Sequence, residues 1–336
     1  MFKGKTVLIT GGTGSLGYAL TKKLLEKNVE QIRIFSRNEF KQISMESSIP
    51  DERLRFLIGD IRDQKRLIRA TEDVDIVFHA AALKHVPSNE FNPNEAIKTN
   101  ISGTNNVINA CRINNIKKLI LLSTDKAVYP INTMGMTKAI AEKLILNNYK
   151  NTKTSISIVR YGNVLNSRGS VVETFIKQLL DKKCKFLTVT DEKMTRFLLP
   201  LNDAVNLVET AEKSKSYGEV YIKNSPAAKI IDLAKACMEI LKIKKKIDFI
   251  GIRAGEKLHE TLISYEESFY TKKYKNHFVI KFNKNLQDSD FYMHGYKKGR
   301  MFKFSSNNQK LIKINDIKKI LSKDNYIKKL LKKLNK

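Results

Sequence analysis

The 336-residue sequence has no tryptophan, six prolines and only three cysteines. The cysteines, Cys111, Cys184 and Cys237, are odd in number and lack metal-ligand spacing, which excludes a disulfide framework and favours a reducing compartment. No apolar run approaches the roughly 20 residues of a membrane-spanning helix, and the first predicted strand begins too near Met1 for a signal peptide. We therefore expect a cytoplasmic protein without membrane insertion.

Acidic residues are also scarce: 34 stand against 62 lysines and arginines, which gives a net charge of +28. Such a charge suggests nucleic acid, but the lysines are spread over the whole chain and no zinc-finger, RNP or helix-turn-helix pattern accompanies them. We expect no specific nucleic-acid binding, and a field that favours anionic substrates such as nucleotides. The 42% of hydrophobic residues suffices for one large α/β unit or two domains sharing a cleft.

A glycine-rich turn follows the first predicted strand, Lys5 to Thr10, and precedes a helical pattern. Strand, glycine turn and helix in that order are typical of dinucleotide binding, because backbone amides there approach a pyrophosphate at a helix N-terminus. A plain turn between strand and helix is the alternative. The cofactor contacts predicted from this turn are Gly11, Thr13, Gly14, Ser15, Leu16 and Gly17.

The second predicted strand, Gln31 to Phe35, ends at Ser36 and Arg37, with Lys41 close behind. A carboxylate usually stands here in an NAD site, where it holds the ribose 2′-hydroxyl. Arginine and lysine suit a 2′-phosphate instead, so the cofactor is predicted to be NADP. The alternative is a solvated basic turn.

Further cofactor contacts are predicted beyond the following strands. Asp60 follows the strand Leu54 to Ile58 and is placed to accept from the adenine amino group. Three alanines follow the strand Asp75 to His79, where small side chains let a flat cofactor ring pass. We interpret His79 and His85 as structural. The additional predicted cofactor contacts are Asp60, Ile61, Ala80, Ala81, Ala82, Thr99, Lys138 and Val164.

Asp125 and Lys126 follow a strongly apolar segment, Leu119 to Leu122, that predicts a buried parallel strand. Lys138 lies early in a segment with helical periodicity. Because ligands gather beyond the carboxyl ends of strands in open α/β sheets, this arrangement predicts an active site that also includes Thr124. The alternative is an ion pair that ends a strand.

Strands alternate with helices to about residue 165, which predicts an α/β fold with a doubly wound parallel sheet. We expect a cofactor domain over residues 1–165, a smaller mixed α/β substrate region over residues 166–300 to which the chain can cross back, and a basic tail over residues 301–336. The tail's amphipathic end favours docking on its own domain or a neighbouring subunit over a membrane surface.

Arg168, Arg196 and Arg253 suggest a clamp for a diphosphate and uridine. The other predicted substrate contacts are Lys84, Asn163, Ser170, Val171 and Glu256.

Eight motifs carry a resemblance over most of the chain: TGGTGSLG, FSRNEFKQ, GDIRD, HAAALKHVP, STDKAVYPIN, RYGNVLNSRGSVV, DEKMTRF and GIRAGEKLHE. With them the sequence resembles the extended short-chain dehydrogenases/reductases that act on nucleotide sugars, and within these the inverting UDP-N-acetylglucosamine 4,6-dehydratases. The resemblance implies a UDP-sugar substrate, a role in surface-glycan synthesis and a homo-oligomer, commonly a hexamer.

Met134 departs from the superfamily pattern Tyr-x-x-x-Lys, in which the tyrosine takes the proton from the hydroxyl being oxidised. Methionine at this position is familiar in the branch that dehydrates and epimerises. The resemblance implies Lys126 as the C5 base, with a pKa lowered by burial and positive neighbours, and Asp125 as the acid at O6 with a raised pKa. The two roles could be reversed, or the pair could titrate as a unit. A UDP-sugar 4-epimerase and a non-catalytic NADP-binding protein are the alternative functions.

Overall fold

The computed structural model describes residues 2–147, 153–165, 167, 169–214, 218–281 and 301–334. The predicted Arg168 lies outside these described residues. The described strands are β1 (Thr6–Thr10), β2 (Gln31–Ser36), β3 (Leu54–Ile58), β4 (Ile76–His79), β5 (Lys118–Thr124), β6 (Ser155–Tyr161), β7 (Asn163–Val164), β8 (Phe186–Val189), β9 (Thr195–Leu199), β10 (Glu219–Lys223), β11 (Ala227–Lys229), β12 (Lys246–Phe249), β13 (Thr261–Ile263), β14 (Thr271–Lys273), β15 (His277–Lys281) and β16 (Phe304–Ser305).

A nine-stranded sheet in the order β14-β15-β10-β6-β5-β4-β1-β2-β3 forms the centre of the molecule. The pairs from β3 through β10 are parallel, whereas β15 pairs antiparallel with both β10 and β14. The order 3-2-1-4-5-6 is that of a dinucleotide-binding fold, with the change of direction between β1 and β4. The predicted doubly wound α/β sheet is confirmed.

Alternate residues of the inner strands enter different cores because successive side chains point to opposite faces of a sheet. In β1, Leu8 joins the core on one face, and Val7 and Ile9 join the core on the other. All three are fully buried. Burial on both faces explains why β1 and β5 read as continuous apolar runs in the sequence.

The helices pack on both faces of the sheet and around the smaller region. They are α1 (Ser15–Leu25), α2 (Glu39–Ser48), α3 (Gln64–Ala70), α4 (Val86–Phe91), α5 (Pro93–Ala96), α6 (Gly103–Ile113), α7 (Thr133–Asn147), α8 (Val171–Leu180), α9 (Leu201–Lys213), α10 (Ile230–Leu241), α11 (Tyr265–Ser268), α12 (Ile314–Ser322) and α13 (Asn325–Leu334).

A π-helical segment, Ile97–Ser102, joins α5 to α6. The sequence pattern from Pro93 to Asn115 predicts one long helix, but the structure divides it, and its last regular part ends at Ile113. Such wide turns often occur at functional sites, and this one contains the predicted contact Thr99.

The chain crosses back to the main sheet after residue 166, because β10, β14 and β15 extend it beyond β6. A boundary at residue 165 therefore separates β6 from strands of the same sheet. The smaller region contains a three-stranded sheet, β11-β9-β7, and a two-stranded sheet, β12-β8. Its core includes Val172 and Phe175 of α8 and Leu233 of α10.

The C-terminal segment packs on this smaller region. Ile317 and Leu321 of α12 and Ile327 of α13 are buried in its core, and β16 pairs with β13. This packing agrees with the interpretation that the amphipathic end docks on its own domain. Among the residues described, none of the helices combines the length and the apolar character needed to cross a bilayer.

Candidate active site

Most of the predicted site residues lie along one edge of the central sheet. Strands β1 to β6 are parallel neighbours, so their carboxyl ends meet at the same edge. Gly11, Ser36, Asp60, Ala80 and Thr124 each follow or end one of these strands. Ligands of open α/β sheets bind in the crevice at this edge, where the strand order reverses.

The glycine turn after β1 is shaped by two close backbone approaches. Gly11 has a φ of +66°, and a Cβ there would lie 2.8 Å from the backbone of Ala81. A Cβ on Gly17 would lie 2.5 Å from the carbonyl oxygen of Gly12. Gly14 caps α1 without a side-chain hydrogen bond. This backbone cradle at a helix N-terminus fits the pyrophosphate of a dinucleotide.

The remaining predicted residues of the turn differ in burial. Thr13 is buried, Ser15 opens α1, and Leu16 packs against the core beneath the sheet. The side chain of Leu16 therefore packs against the core, and its backbone belongs to the first turn of α1.

The end of β2 presents the predicted basic group. Ser36 is buried and its hydroxyl accepts from the Gln42 side chain at 3.0 Å. Arg37 and Lys41 are exposed, and the Arg37 guanidinium lies 3.7 Å from the Asp60 carboxylate. A positive group thus stands beyond β2, at the position where an NAD site usually has a carboxylate.

Asp60 is held by a neighbour that the prediction omitted. Its carboxylate accepts from the backbone amide and the guanidinium of Arg62, both at 2.9 Å. Burial raises the pKa of Asp60, but these hydrogen bonds outweigh it and leave the pKa below its usual value. Ile61 is buried, and a Cβ on Gly103 would lie 2.6 Å from its side chain.

The loop after β4 places Ala80, Ala81 and Ala82 beside the glycine turn. Asn100 braces this loop, since its side chain accepts from the Leu83 amide at 2.8 Å and donates to the Leu83 carbonyl at 3.0 Å. The Thr99 hydroxyl is buried without a hydrogen-bond partner among the described residues.

His79 is structural, as predicted. Its two ring nitrogens lie 2.7 Å from the Thr10 hydroxyl and 3.0 Å from the Thr104 hydroxyl. Burial lowers the pKa of His79 to about 3, so the ring is neutral and ties β1, β4 and α6 together.

Asp125 and Lys126 form the predicted pair directly beyond β5. Asp125 is 0% exposed, and Lys126 keeps 21% of its side chain accessible. The Lys126 Nζ lies 3.0 Å from Asp125 Oδ1, and the Thr124 hydroxyl donates to that same oxygen at 3.0 Å. The other oxygen, Asp125 Oδ2, has no hydrogen-bond partner among the described residues and lies 3.1 Å from the position of a Cβ on Gly162.

Glu260 is a site residue that the sequence interpretation missed. It is 1% exposed, and its Oε1 lies 3.2 Å from Lys126 Nζ. Arg196 Nε and Lys257 Nζ lie 3.9 Å and 3.7 Å from the same carboxylate. Two buried carboxylates and three cations therefore form one cluster, which we call the Asp125–Glu260 cluster (Asp125, Lys126, Arg196, Lys257 and Glu260).

Burial and charge interactions shift the pKa values of Asp125 and Glu260 in opposite directions. Burial raises the pKa of Asp125 in spite of Lys126, and the charge of Glu260 adds to the rise. Burial also opposes ionisation of Glu260, but Lys126, Arg196 and Lys257 outweigh it and lower its pKa. For Lys126, burial alone lowers the pKa, but attraction to Asp125 and Glu260 outweighs it and raises the pKa above the usual lysine value.

The expectation of a lowered pKa for Lys126 is therefore wrong for this arrangement. The physical reason is that the carboxyl groups of Asp125 and Glu260 lie 3.0 Å and 3.2 Å from the ammonium, and their attraction outweighs burial. The expected raised pKa of Asp125 agrees with the structure.

Lys138 is buried in α7, and its Nζ donates to the Leu122 carbonyl of β5 at 2.8 Å. Burial lowers its pKa to about 8. Met134, one turn earlier, is also buried, so no titratable side chain occupies this position of the helix. Gly135 between them lies against Lys126, because a Cβ there would meet the Lys126 carbonyl oxygen.

Several predicted substrate contacts lie in or beside β7 and α8. Asn163 Oδ1 is buried without a hydrogen-bond partner among the described residues, and Val164 follows it in β7. Lys84 is exposed and interacts electrostatically with Glu173 of α8. Ser170 caps α8 immediately before Val171.

The start of α8, where Ser170 and Val171 are predicted to contact the substrate, already holds a carboxylate. Glu173 accepts from the Gly169 amide at 2.6 Å, and its own amide donates to Ser170. A phosphate at this position would have to displace Glu173.

Two of the three arginines of the predicted clamp, Arg196 and Arg253, lie among the described residues. Arg196 is only 7% exposed, and its guanidinium donates to the carbonyls of Thr195, Lys257 and Leu258 at 2.8–3.1 Å. It therefore fixes the GEKLHE loop and the Asp125–Glu260 cluster, since its donors are already engaged. Arg253 is exposed, with a guanidinium nitrogen 3.8 Å from Glu256, and Glu256 Oε2 has no hydrogen-bond partner among the described residues.

No group of three or more histidine, cysteine or acidic side chains suited to a metal ion occurs among the described residues.

Comparison with known proteins addresses the family. A family model described as "Polysaccharide biosynthesis protein" matches residues 7–282. The chain belongs to this polysaccharide biosynthesis family. A relative named UDP-glucose 4-epimerase, from Rickettsia bellii, is 44% identical, and the match covers 99% of each chain.

Two solved structures show the same fold. Pen from Bacillus thuringiensis has a TM-score of 0.88 at 35% identity, covering 96% of this chain and 99% of that one. DesIV, a dTDP-glucose 4,6-dehydratase from Streptomyces venezuelae solved with NAD, has a TM-score of 0.70 at 20% identity, covering 75% and 86%. This member of the polysaccharide biosynthesis family is an enzyme of the nucleotide-sugar dehydratase and epimerase type.

Proposed function

We propose that the protein is an NADP-dependent UDP-N-acetylglucosamine 4,6-dehydratase that inverts C5 and makes a 4-keto-6-deoxy-L-sugar for surface-glycan synthesis. The observation that carries this proposal is the buried Asp125–Lys126 pair at the carboxyl end of β5. A 4-epimerase has no need of an acid for O6 or a base for C5. Elimination of water across C5 and C6 needs both.

The glycine turn supports the proposal that a dinucleotide binds here. A Cβ at Gly11 or Gly17 would collide with neighbouring backbone atoms, so the turn keeps this shape only with glycine at both positions. When bound, NADP supplies the carbon that takes hydride from C4 and returns it to C6. The residues proposed to hold the cofactor are those along the edges of β1, β2 and β4, with Lys138 beside them. Lys138, with a pKa of about 8, is proposed to contact the nicotinamide ribose.

The proposed proton steps use the Asp125–Lys126 pair. Once C4 is a ketone, the C5 proton is acidic, and Lys126 takes it while Asp125 gives its proton to O6 as water leaves. After hydride has been added at C6, C5 takes up a proton on its opposite face, which inverts its configuration. Asp125 is suited to the acid role because its raised pKa keeps it protonated. Lys126 first has to release a proton, for which its 21% exposure provides a path to solvent. Thr124 is proposed to orient O4, since Met134 cannot take its proton.

Incubating the protein with UDP-N-acetylglucosamine in D₂O is the direct test. We expect a new C6 methyl signal in the proton NMR spectrum, deuterium at C5 and the L-configuration. Because Lys126 has to lose its proton and its pKa is raised, the rate should increase towards alkaline pH. A product that keeps its hydroxymethyl group and differs only at C4 would contradict the proposal.

A UDP-glucose 4-epimerase is the second candidate function. The R. bellii relative carries that name at 44% identity over nearly the whole chain. Met134 weighs against this candidate, because 4-epimerase chemistry depends on the tyrosine that is missing here. The NMR experiment separates the two functions, since only the dehydratase forms a methyl group.

The proposed preference for NADP depends on Arg37 and Lys41. Replacing Arg37 by alanine should weaken NADP binding by roughly 10- to 100-fold, because a hydrogen bond to a charged group contributes about 1.5–3 kcal/mol. NAD lacks the 2′-phosphate, so its affinity should change little. Fluorescence titration of both cofactors measures this difference. Equal losses for NADP and NAD would show that Arg37 does not read the 2′-phosphate.

The substrate contacts proposed from the sequence are Lys84, Asn163, Arg168, Ser170, Val171, Arg253 and Glu256. For Arg196 we propose support of the cluster in place of direct contact. A cytoplasmic location and a homo-oligomer such as a hexamer remain predictions that rest on composition and resemblance.

A further inference from the structure

The backbone of Glu260 is held rigidly by the C-terminal segment. Its amide donates to the Ser306 hydroxyl at 3.0 Å, and its carbonyl accepts from the Ser306 amide at 2.8 Å and the Ser305 hydroxyl at 3.0 Å. The Thr195 hydroxyl lies 2.7 Å from that of Ser306. Residues distant in sequence thus fix Glu260 beside Lys126.

The two carboxylates of the Asp125–Glu260 cluster have unequal surroundings. Glu260 has three cations within 4.0 Å, at 3.2 Å (Lys126), 3.7 Å (Lys257) and 3.9 Å (Arg196). Among the described residues, Asp125 has only the Lys126 cation within that distance, at 3.0 Å. Two carboxylates that share one site rarely ionise together, and positive neighbours favour the charged form. Glu260 therefore ionises first.

Asp125 is suited to hold the proton that Glu260 does not. It is completely buried, which disfavours its charged form. Its Oδ1 is engaged by Thr124 and Lys126. Its Oδ2 has no hydrogen-bond partner among the described residues and lies beside Gly162, which has no side chain to cover it. A proton on Oδ2 is therefore engaged by none of the described residues.

We infer that Glu260 is a positioning residue for the reaction: it carries the negative charge that balances Lys126, and thereby leaves Asp125 as the protonated acid. The inference rests on the proposed function for what the proton on Asp125 does. The location of that proton follows from the cluster alone.

The direct test is infrared difference spectroscopy of the full-length protein at neutral pH without substrate. Subtracting the spectrum of Asp125→Asn from that of the wild type should show a protonated carboxyl band. In the Glu260→Gln background the same subtraction should show a carboxylate instead, because Asp125 is then the only acid left to balance Lys126. Glu260→Asp keeps the charge and should restore the protonated band.

A control variant is Glu239→Gln, which also removes a glutamate paired to a lysine, Lys318, but at the surface of α10. It should leave the Asp125 band unchanged. A protonated band that persists in folded Glu260→Gln would overturn the inference. An Asp125 found ionised in the wild type would overturn it as well, even if Glu260→Gln does not fold.

Kinetics give a second readout. With UDP-N-acetylglucosamine, Glu260→Gln should lower kcat about 100-fold with little change in KM, because a general acid contributes about 10²–10⁴-fold. Its rate should also depend on a lower pH range, since Asp125 is then ionised and has to take up a proton before it can act as the acid. Glu260→Asp should recover most of the rate, and an unchanged pH profile in Glu260→Gln would contradict the inference. If the wild type does not turn over this sugar, the proposed function fails while the infrared test still decides the role of Glu260.

Discussion

Replacing Asp125 by asparagine is expected to lower kcat for dehydration by about 10²–10⁴-fold, the contribution of a general acid. Asparagine has nearly the same shape and can still accept from Thr124, but it cannot give a proton to O6. Oxidation at C4 does not use this proton. Reduced cofactor should therefore accumulate in a single turnover, which absorbance spectroscopy detects. A variant with kcat within threefold of the wild type would remove Asp125 from the mechanism.

The same substitution should not destabilise the protein at neutral pH. The folded-state pKa of Asp125 is raised by burial, so the folded protein keeps a proton that the unfolded chain has lost. Stability from this group is then complete below the unfolded pKa and falls as pH rises towards the folded pKa. Asparagine is neutral throughout and removes this loss. Urea unfolding of the variant should accordingly give a midpoint at or above that of the wild type, and a large decrease would show that Asp125 is ionised in the fold.

Five strands, β1 to β5, could be predicted from the sequence because each is a short apolar run. Burial on both faces leaves such runs uninterrupted, and the observed bounds differ from the predicted ones by at most two residues at each end. The joining of β10 and β15 to this sheet could not be predicted. β10 pairs with β6, far earlier in the chain, and nothing in its local pattern names a partner.

The site was predictable where function is local in sequence. Asp125 and Lys126 are adjacent and follow an apolar strand, so their position could be inferred directly. Glu260 was missed because it is far from Lys126 in sequence, and its backbone is held in place by Ser305 and Ser306, which are more distant still. One signal was present: an acid directly before the apolar run Thr261–Ile263 sits where burial is expected. Such a residue needs a cation, and Lys126 is that cation.

The prediction for Arg196 differs in the opposite direction: it placed a residue in direct contact with the substrate, whereas Glu260 was left out of the site. Arg196 was interpreted as a substrate contact because arginines suit phosphates, but its guanidinium is consumed by backbone carbonyls. The sequence gives no measure of how many loop carbonyls lie near a side chain. Burial and loop geometry decide whether an arginine is available to a ligand, and both depend on the tertiary structure.

Arg160 is the residue whose loss should cost the most stability. It is 2% exposed in β6, and its guanidinium binds two buried or half-buried carboxylates, Glu142 of α7 and Glu267 of α11, and the Leu262 carbonyl. Replacing it with methionine leaves both acids without their cation. Breaking a buried ion pair in this way costs about 3–5 kcal/mol, so the free energy of unfolding in urea should fall by that amount.

We expect most of this loss of stability to come from the unpaired carboxylates and less of it from lost packing. A double variant separates the two contributions. Arg160→Met with Glu267→Gln removes one of the uncompensated charges, so it should recover part of the loss. Arg160→Lys keeps the charge but lacks the planar guanidinium that contacts both acids. Its free energy of unfolding should therefore lie between those of the wild type and Arg160→Met. If the double variant is no more stable than Arg160→Met, lost packing is the cause.

The pH dependence of this network has a definite sign. Burial raises the pKa of Glu267, but Arg160 outweighs it and the pKa is lowered in the fold. Stability from this group is present above the unfolded pKa of a glutamate and is lost as pH falls through the lowered value. The wild type should therefore lose stability on acidification. In Arg160→Met the unpaired Glu267 is more easily protonated than in the wild type, so the difference in unfolding free energy between the two proteins should narrow towards acid pH. A difference that stays constant with pH would show that Arg160 stabilises the fold by packing alone, and the coupling of β6, α7 and α11 behind the active site would then not be electrostatic.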